Sequence, residues 1–202
     1  MELDHLAVVA GTLAEGVAAV EAALGVPLQP GGAHPQMGTH NRLLSLGDLY
    51  LEVIAVDPAA PPPGRPRWFA MDAFAGPPRL TNWVCRCADL DAECAEGPPG
   101  LGDPLDLERG DLRWRMAVPP DGLLPFGGLF PALIAWKGTA HPAPRLTDRG
   151  CRLKRLTVTL PAAEELRAAL AGRLSDRRLD IEPGPEGLTA EIETPSGLKV
   201  LR

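Results

Sequence analysis

Leu3-Asp4-His5-Leu6-Ala7-Val8-Val9-Ala10 is an extended, mostly apolar run. It ends at Gly11-Thr12 and passes into a stretch where Leu13, Val17, Val20 and Leu24 recur at helical spacing. The plan returns 77 residues later, with Leu80 answering Leu3 and Leu90 answering Leu13. This second copy reads Leu80-Thr81-Asn82-Trp83-Val84-Cys85-Arg86-Cys87, with Asp89 as helix N-cap and Leu90 and Cys94 opening the apolar stripe. A third copy runs from Leu153 to Leu160, followed by Leu166, Leu170 and Leu174 at helical spacing. A strand–helix plan that recurs is the strongest organising signal in the chain.

Successive side chains of a strand point to opposite faces, so each copy divides into two sets. One set is Leu6, Val8 and Ala10, then Trp83, Cys85 and Cys87, then Leu156, Val158 and Leu160, all apolar or soft. The other is His5, Ala7 and Val9, then Asn82, Val84 and Arg86, then Arg155, Thr157 and Thr159, a mixed set that turns polar. The apolar face is expected under the helices and the mixed face in an open cup.

After each helix there is room for three strands. In the first copy these are expected near Val26 to Gln29, Arg42 to Leu46 and Leu49 to Val56; in the second, near Pro104 to Leu107, Leu112 to Val118 and Ala132 to Trp136. In the third they are expected at Leu179 to Glu182, Leu188 to Glu193 and Leu198 to Leu201. The expected class is α+β, with repeated βαβββ units forming an open, cupped sheet whose helices lie on its outer face. Two units (1–56 and 79–137) joined by a Pro-rich linker (57–78) would form one domain over 1–137, and 151–202 a third unit.

The bulk composition excludes several alternatives. The 202 residues are 45% hydrophobic, enough for a real core, and the formal net charge is −6. An acidic chain gains nothing from the counterion release that drives nucleic-acid binding. No apolar run reaches the roughly 18 residues of a membrane span, and Met1-Glu2-Leu3-Asp4 lacks a basic leader, so the sequence predicts a cytoplasmic protein. The 22 Gly and 23 Pro do not imply disorder, because hydrophobicity is not low. Of the cysteines Cys85, Cys87, Cys94 and Cys151, three fall in the apolar layer, where a free thiol behaves as a small hydrophobe.

Four ordered pieces carry a family resemblance: Leu3-Asp4-His5-Leu6; Gly31-Gly32-Ala33-His34-Pro35 with Gly38-Thr39-His40-Asn41; Leu46-Gly47-Asp48-Leu49-Tyr50-Leu51-Glu52; and Phe130-Pro131 through Ile134-Ala135-Trp136. Together they resemble the glyoxalase-like domain family of the vicinal oxygen chelate superfamily over residues 1–137. The resemblance implies a small-molecule pocket and one divalent ion (Fe, Mn, Ni or Zn) held in the cup. His5 and Glu52 would be metal ligands, and Glu52 the catalytic ligand or base of a lyase, isomerase or dioxygenase. Imidazole nitrogen and carboxylate oxygen suit such ions.

The second unit departs from this pattern. Asn82 stands at the position of His5, and Ala135 is expected at that of Glu52. The third puts Arg155 and Leu201 there. Half of a metal site remains, and a metal-free module that binds or sequesters a small molecule is the alternative.

His40, Asn41, Tyr50, Arg67, Trp68, Asn82 and Arg86 are the candidate ligand contacts. Arg67 and Trp68 enter through Arg65-Pro66-Arg67-Trp68-Phe69, which could clamp an acidic or aromatic compound. Leu124 to Phe130 is either a lid with glycine hinges or a connection. His34 reads as a loop residue and His141 as a solvated one. An unpaired sheet edge in the third unit would favour either a homodimer or packing onto the first two.

Overall fold

The computed structural model describes residues 1–202. The first unit is β1 (Glu2–Val9), α1 (Leu13–Leu24), β2 (Gln29–His34), β3 (Thr39–Ser45) and β4 (Tyr50–Val56). The second is β5 (Arg79–Arg86), α2 (Leu90–Glu96), β6 (Asp103–Arg109), β7 (Leu112–Val118) and β8 (Ala132–Trp136). The last is β9 (Arg152–Leu160), α3 (Ala163–Leu170), β10 (Leu179–Pro183), β11 (Gly187–Thr194) and β12 (Gly197–Leu201).

Local chemistry sets the helix ends. The Thr12 hydroxyl accepts from the Glu15 amide at 3.2 Å, and α1 stops where Gly25 turns left-handed at φ 72°. The Asp89 carboxylate accepts from the Ala92 amide at 3.0 Å and starts α2. One strand is misplaced by the sequence reading: β2 covers Gln29–His34, Gly31-Gly32 included, rather than Val26 to Gln29.

The first eight strands form one sheet in the order β2-β3-β4-β1-β5-β8-β7-β6. In each of the first two units the first strand pairs in parallel with the last, and β1 pairs antiparallel with β5, so two equivalent halves meet at the centre. The α+β class and the cupped sheet are as the repeat requires.

The last segment has the expected chain order but a different pairing. Its sheet runs β10-β9-β11-β12, with β10 directly beside β9. In the other units the strand after the helix lies at the sheet edge. The small sheet packs against the helix-covered face of the large one. Leu6, Val8, Trp83 and Cys85 share one buried cluster with Leu156, Val158, Leu166 and Ile192, and the Leu80 amide donates to the Arg202 carbonyl. Ion pairs from Arg178 to Asp48 and from Arg173 to Glu93 fasten the two layers. Intramolecular packing therefore covers the third segment's apolar face, and Arg155 points outward to pair with Asp180 rather than into the cup. All four cysteines are free and lie in or against this layer.

The cup is not a polar hollow. Val9, Met37, Ile54, Met71, Val84, Trp114 and Met116 pack inside it as a second apolar cluster. What remains open is a narrow cleft.

Candidate functional site

Strand alternation places His5 on β1 and Tyr50 and Glu52 on β4 on the cup face, with His5 opposite Tyr50 and Ala7 opposite Glu52. Asp4 breaks the alternation. The β1–β5 register slips between Leu3 and His5, and this bulge lets Asp4 join His5 in the cup while Leu3 stays in the core.

Asp4 is fully buried and accepts three hydrogen bonds: from His5 Nδ1 at 2.6 Å, from Trp136 Nε1 at 3.0 Å and from His141 Nε2 at 2.9 Å. Burial by itself would raise its carboxyl, but the bonds from His141 and His5 outweigh it and hold Asp4 well below the usual carboxylate range. An ionised Asp4 can only accept, so His5 carries its proton on Nδ1 and leaves Nε2 for the cleft. Tyr50 stacks on the His5 ring, centroids 4.4 Å apart. Burial, then the Asp4 and Glu52 charges, push the Tyr50 phenol well above its ordinary value, so it stays protonated.

Glu52 Oε2 lies 3.7 Å from His5 Nε2, and Glu52 Oε1 accepts from Asn41 Nδ2 at 2.5 Å. The Asn41 oxygen in turn accepts from the Gly32 amide at 2.8 Å and from Arg109 at 3.1 Å. Only glycine permits this closure. A Cβ on Gly31 would sit 2.0 Å from Asn41 Oδ1, and one on Gly32 would sit 2.8 Å from the Arg109 stem.

His34, at the end of β2, donates from Nδ1 to the Thr39 hydroxyl at 3.1 Å and accepts at Nε2 from Arg109 at 3.0 Å. Its ring is pushed down to about 4, chiefly by burial and further by the Arg109 charge, against the pull of Glu52.

Trp68 and Phe69 close the cleft. They belong to a loop in which Phe69 and Ala70 adopt left-handed backbone, φ 59° and 50°, at a cost of about 1 kcal/mol or more each. The Ala70 amide donates to the Gly122 carbonyl at 2.8 Å, and Arg65 donates to the Val118 and Pro119 carbonyls, which hold the loop in place. The finished cleft is lined by His5, His34, Asn41, Tyr50, Glu52, Trp68, Phe69, Arg109, Trp114, Met116, Ile134 and Trp136. Its free space is about 30 Å³, room for one water-sized molecule, so a larger compound needs the lining side chains to move apart.

Of the candidates read from sequence, the structure gathers His5, Asn41, Tyr50, Glu52 and Trp68 here. Four others lie elsewhere. His40 sits on the opposite face of β3, 4.0 Å from Asp57. Arg67 pairs with Asp72 and braces the loop. Asn82 faces a neighbouring groove and donates to the Gly128 carbonyl at 3.4 Å. Arg86 pairs with Glu2, with Asp4 at 3.8 Å.

The residue answering Glu52 is Ala132, not Ala135. Val84 faces Ala132 as Ala7 faces Glu52, and Ala135 packs on the other side of the sheet. His34 and His141, read as loop and solvated residues, are both part of the network. Asp4 was hidden by the bulge. Arg109, Trp114 and Trp136 come from the second unit, where only the cup-face parity of β7 and β8 could have signalled the tryptophans.

The residues do not fit a divalent ion. His5 and Glu52 offer two donors, but the third nitrogen nearby, His34 Nε2, already accepts from a guanidinium that would repel a cation. The second unit supplies Asn82, turned away, and Ala132, without a donor atom. No group of three His, Cys, Asp or Glu side chains is arranged to hold a metal.

A cup built from paired βαβββ units, with its polar groups gathered on the central strands, defines a vicinal oxygen chelate fold. The family model of the glyoxalase-like domain matches residues 3–174, reaching past the second unit into the third, and the chain belongs to that family. No curated protein matches the sequence. Among solved structures, a hypothetical protein from Staphylococcus aureus is similar at a TM-score of 0.62 and 14% identity, covering 91% of this chain and 86% of that one. Methylmalonyl-CoA epimerase from Mycobacterium tuberculosis aligns at a TM-score of 0.44 and 18% identity, covering 68% of this chain and 88% of that one. No helix is long and apolar enough to cross a membrane.

Proposed function

We propose that the cleft binds a small oxygen-bearing compound without a metal and moves a proton on it, with His5 as the base. The observation that carries this reading is the Asp4–His5 pair. The 2.6 Å bond to a buried carboxylate fixes the tautomer and directs Nε2 toward Glu52 across 3.7 Å. When His5 takes a proton from a carbon next to a carbonyl, the electron pair moves to the carbonyl oxygen and Asp4 stabilises the imidazolium. The proton then returns from His5 Nε2 to the same carbon, from either side, which restores the carbonyl and leaves His5 neutral. Glu52, held by Asn41, faces the same space and stabilises the charged imidazole. Such chemistry is that of an isomerase.

The test is solvent exchange in D₂O, read by proton NMR on dihydroxyacetone, pyruvate and methylglyoxal, with chelator and with added Mn, Ni or Zn. The expected result is exchange above the buffer rate for at least one compound, unchanged by chelator or ions and abolished in His5→Gln, with melting temperature unmoved by the ions. Exchange that survives His5→Gln, or none for any of the three compounds, would overturn the reading.

A further inference from the structure

We propose that the compound is a small monocarboxylate with an apolar body, and that Trp68 and Arg109 receive its charged end. This rests on the cleft being the binding site, as above, and adds the class of ligand.

Trp68 is 4% exposed, and its indole N–H is the one buried side-chain nitrogen or oxygen in the chain without a hydrogen-bond partner. Leaving a donor buried and unpaired forfeits its hydration with nothing in return, and a native chain seldom does so without a use for the group. Trp68 lines the cleft. Arg109 lines it too, and both of its polar contacts there, to His34 Nε2 and Asn41 Oδ1, go through the same terminal nitrogen to uncharged acceptors. Its remaining N–H groups have no protein partner. Both residues border His34: the Trp68 ring stands edge-on to it with centroids 5.1 Å apart, and Arg109 bonds its Nε2 at 3.0 Å.

An orphaned indole N–H and the free edge of a guanidinium form a receptor for a planar anion, because a carboxylate has two oxygens to accept from both. The walls beside it are Phe69, Trp114, Trp136 and Tyr50, which suit an apolar body. Glu52 sits 4.0 Å from His34 Nε2 on the cleft side, so a second negative charge on the ligand would be repelled. The monocarboxylate is the class that meets all three conditions: the two donors, the apolar sides and the Glu52 charge.

The experiment uses the full chain labelled with ¹⁵N, and follows the tryptophan indole signals while propionate and benzoate, or their neutral amides, are added at pH 7. The Trp68 signal, assigned by its loss in Trp68→Phe, should move downfield with the acids, and the amides should bind at least about tenfold more weakly, the scale of one charge-assisted hydrogen bond. Succinate should also bind more weakly than propionate. Arg109→Met should lose about tenfold in carboxylate affinity and Arg109→Lys less, with melts confirming that both fold. Equal affinity for acid and amide in the wild-type protein overturns the proposal without recourse to any variant. So does a wild-type affinity in both Arg109→Met and Trp68→Phe. The two readings separate cleanly: carboxylate binding without proton exchange removes the base and leaves the anion site, whereas exchange with no preference for acids does the reverse.

Discussion

His34 makes the protein sensitive to mild acid, and the size of the effect follows from its surroundings. In the folded chain its ring titrates near 4, because burial and Arg109 oppose a charge, whereas in the unfolded chain it returns to about 6.5. Between these values the unfolded state binds a proton that the folded state refuses, so stability falls as pH drops through 6.5 and stops falling below about 4. At pH 7 the penalty is negligible. At pH 5 it comes to about 2 kcal/mol by linkage, which for a chain of this length is roughly 4–8 °C in melting temperature. Asp4 does not compete in this window, since its lowered carboxyl loses its stabilising effect only below the ordinary carboxylate value. The assay is urea unfolding at pH 7, 6 and 5 for the wild type and for His34→Gln, which keeps an amide in place of the ring. The expected result is a pH slope smaller in the variant by about 2 kcal/mol over the interval. Equal slopes, or a His34 ring seen by NMR to titrate near 6.5 in the folded protein, would refute the reasoning.

Two further perturbations test the architecture of the site. Asp4→Asn removes a buried charge that collects three donors and, whichever way its amide lies, turns an NH₂ toward at least one of them, so it should cost about 3 kcal/mol by urea unfolding; a loss below about 1 kcal/mol would mean the network does not hold the cup together. Gly31→Ala drives a methyl into Asn41 and should detach that side chain from Glu52 and Arg109, weakening carboxylate binding at least about tenfold while α1 and the layer between the sheets stay folded. Unchanged binding in Gly31→Ala, measured by the indole titration, would show that Asn41 is not what fixes Glu52 and Arg109.

The repeat at Leu3 and Leu80 determined a good deal without coordinates. Period-two alternation is a local property, and it put Leu6, Val8, Trp83 and Cys85 on the apolar face, which the third segment's sheet covers as well as the helices, and His5, Tyr50 and Glu52 in the cup. The 77-residue offset paired His5 with Asn82, but the residue answering Glu52 was misread as Ala135 where the pairing of β5 with β8 gives Ala132. Where alternation was interrupted or chain neighbours were misleading, only the tertiary structure decided. The bulge that turns Asp4 inward depends on how β1 meets β5, a pairing between strands 77 residues apart. Arg109 reaches Asn41 and His34 from the far end of the other half of the sheet, and His141 returns from beyond β8 to Asp4. The order of β9 to β12 was open as well, because the chain order βαβββ is compatible with either pairing. Spacing along the chain records which face a residue takes, since that follows from backbone geometry. Which groups share a cavity follows from closing the sheet into a cup, and the sequence carries no local mark of it.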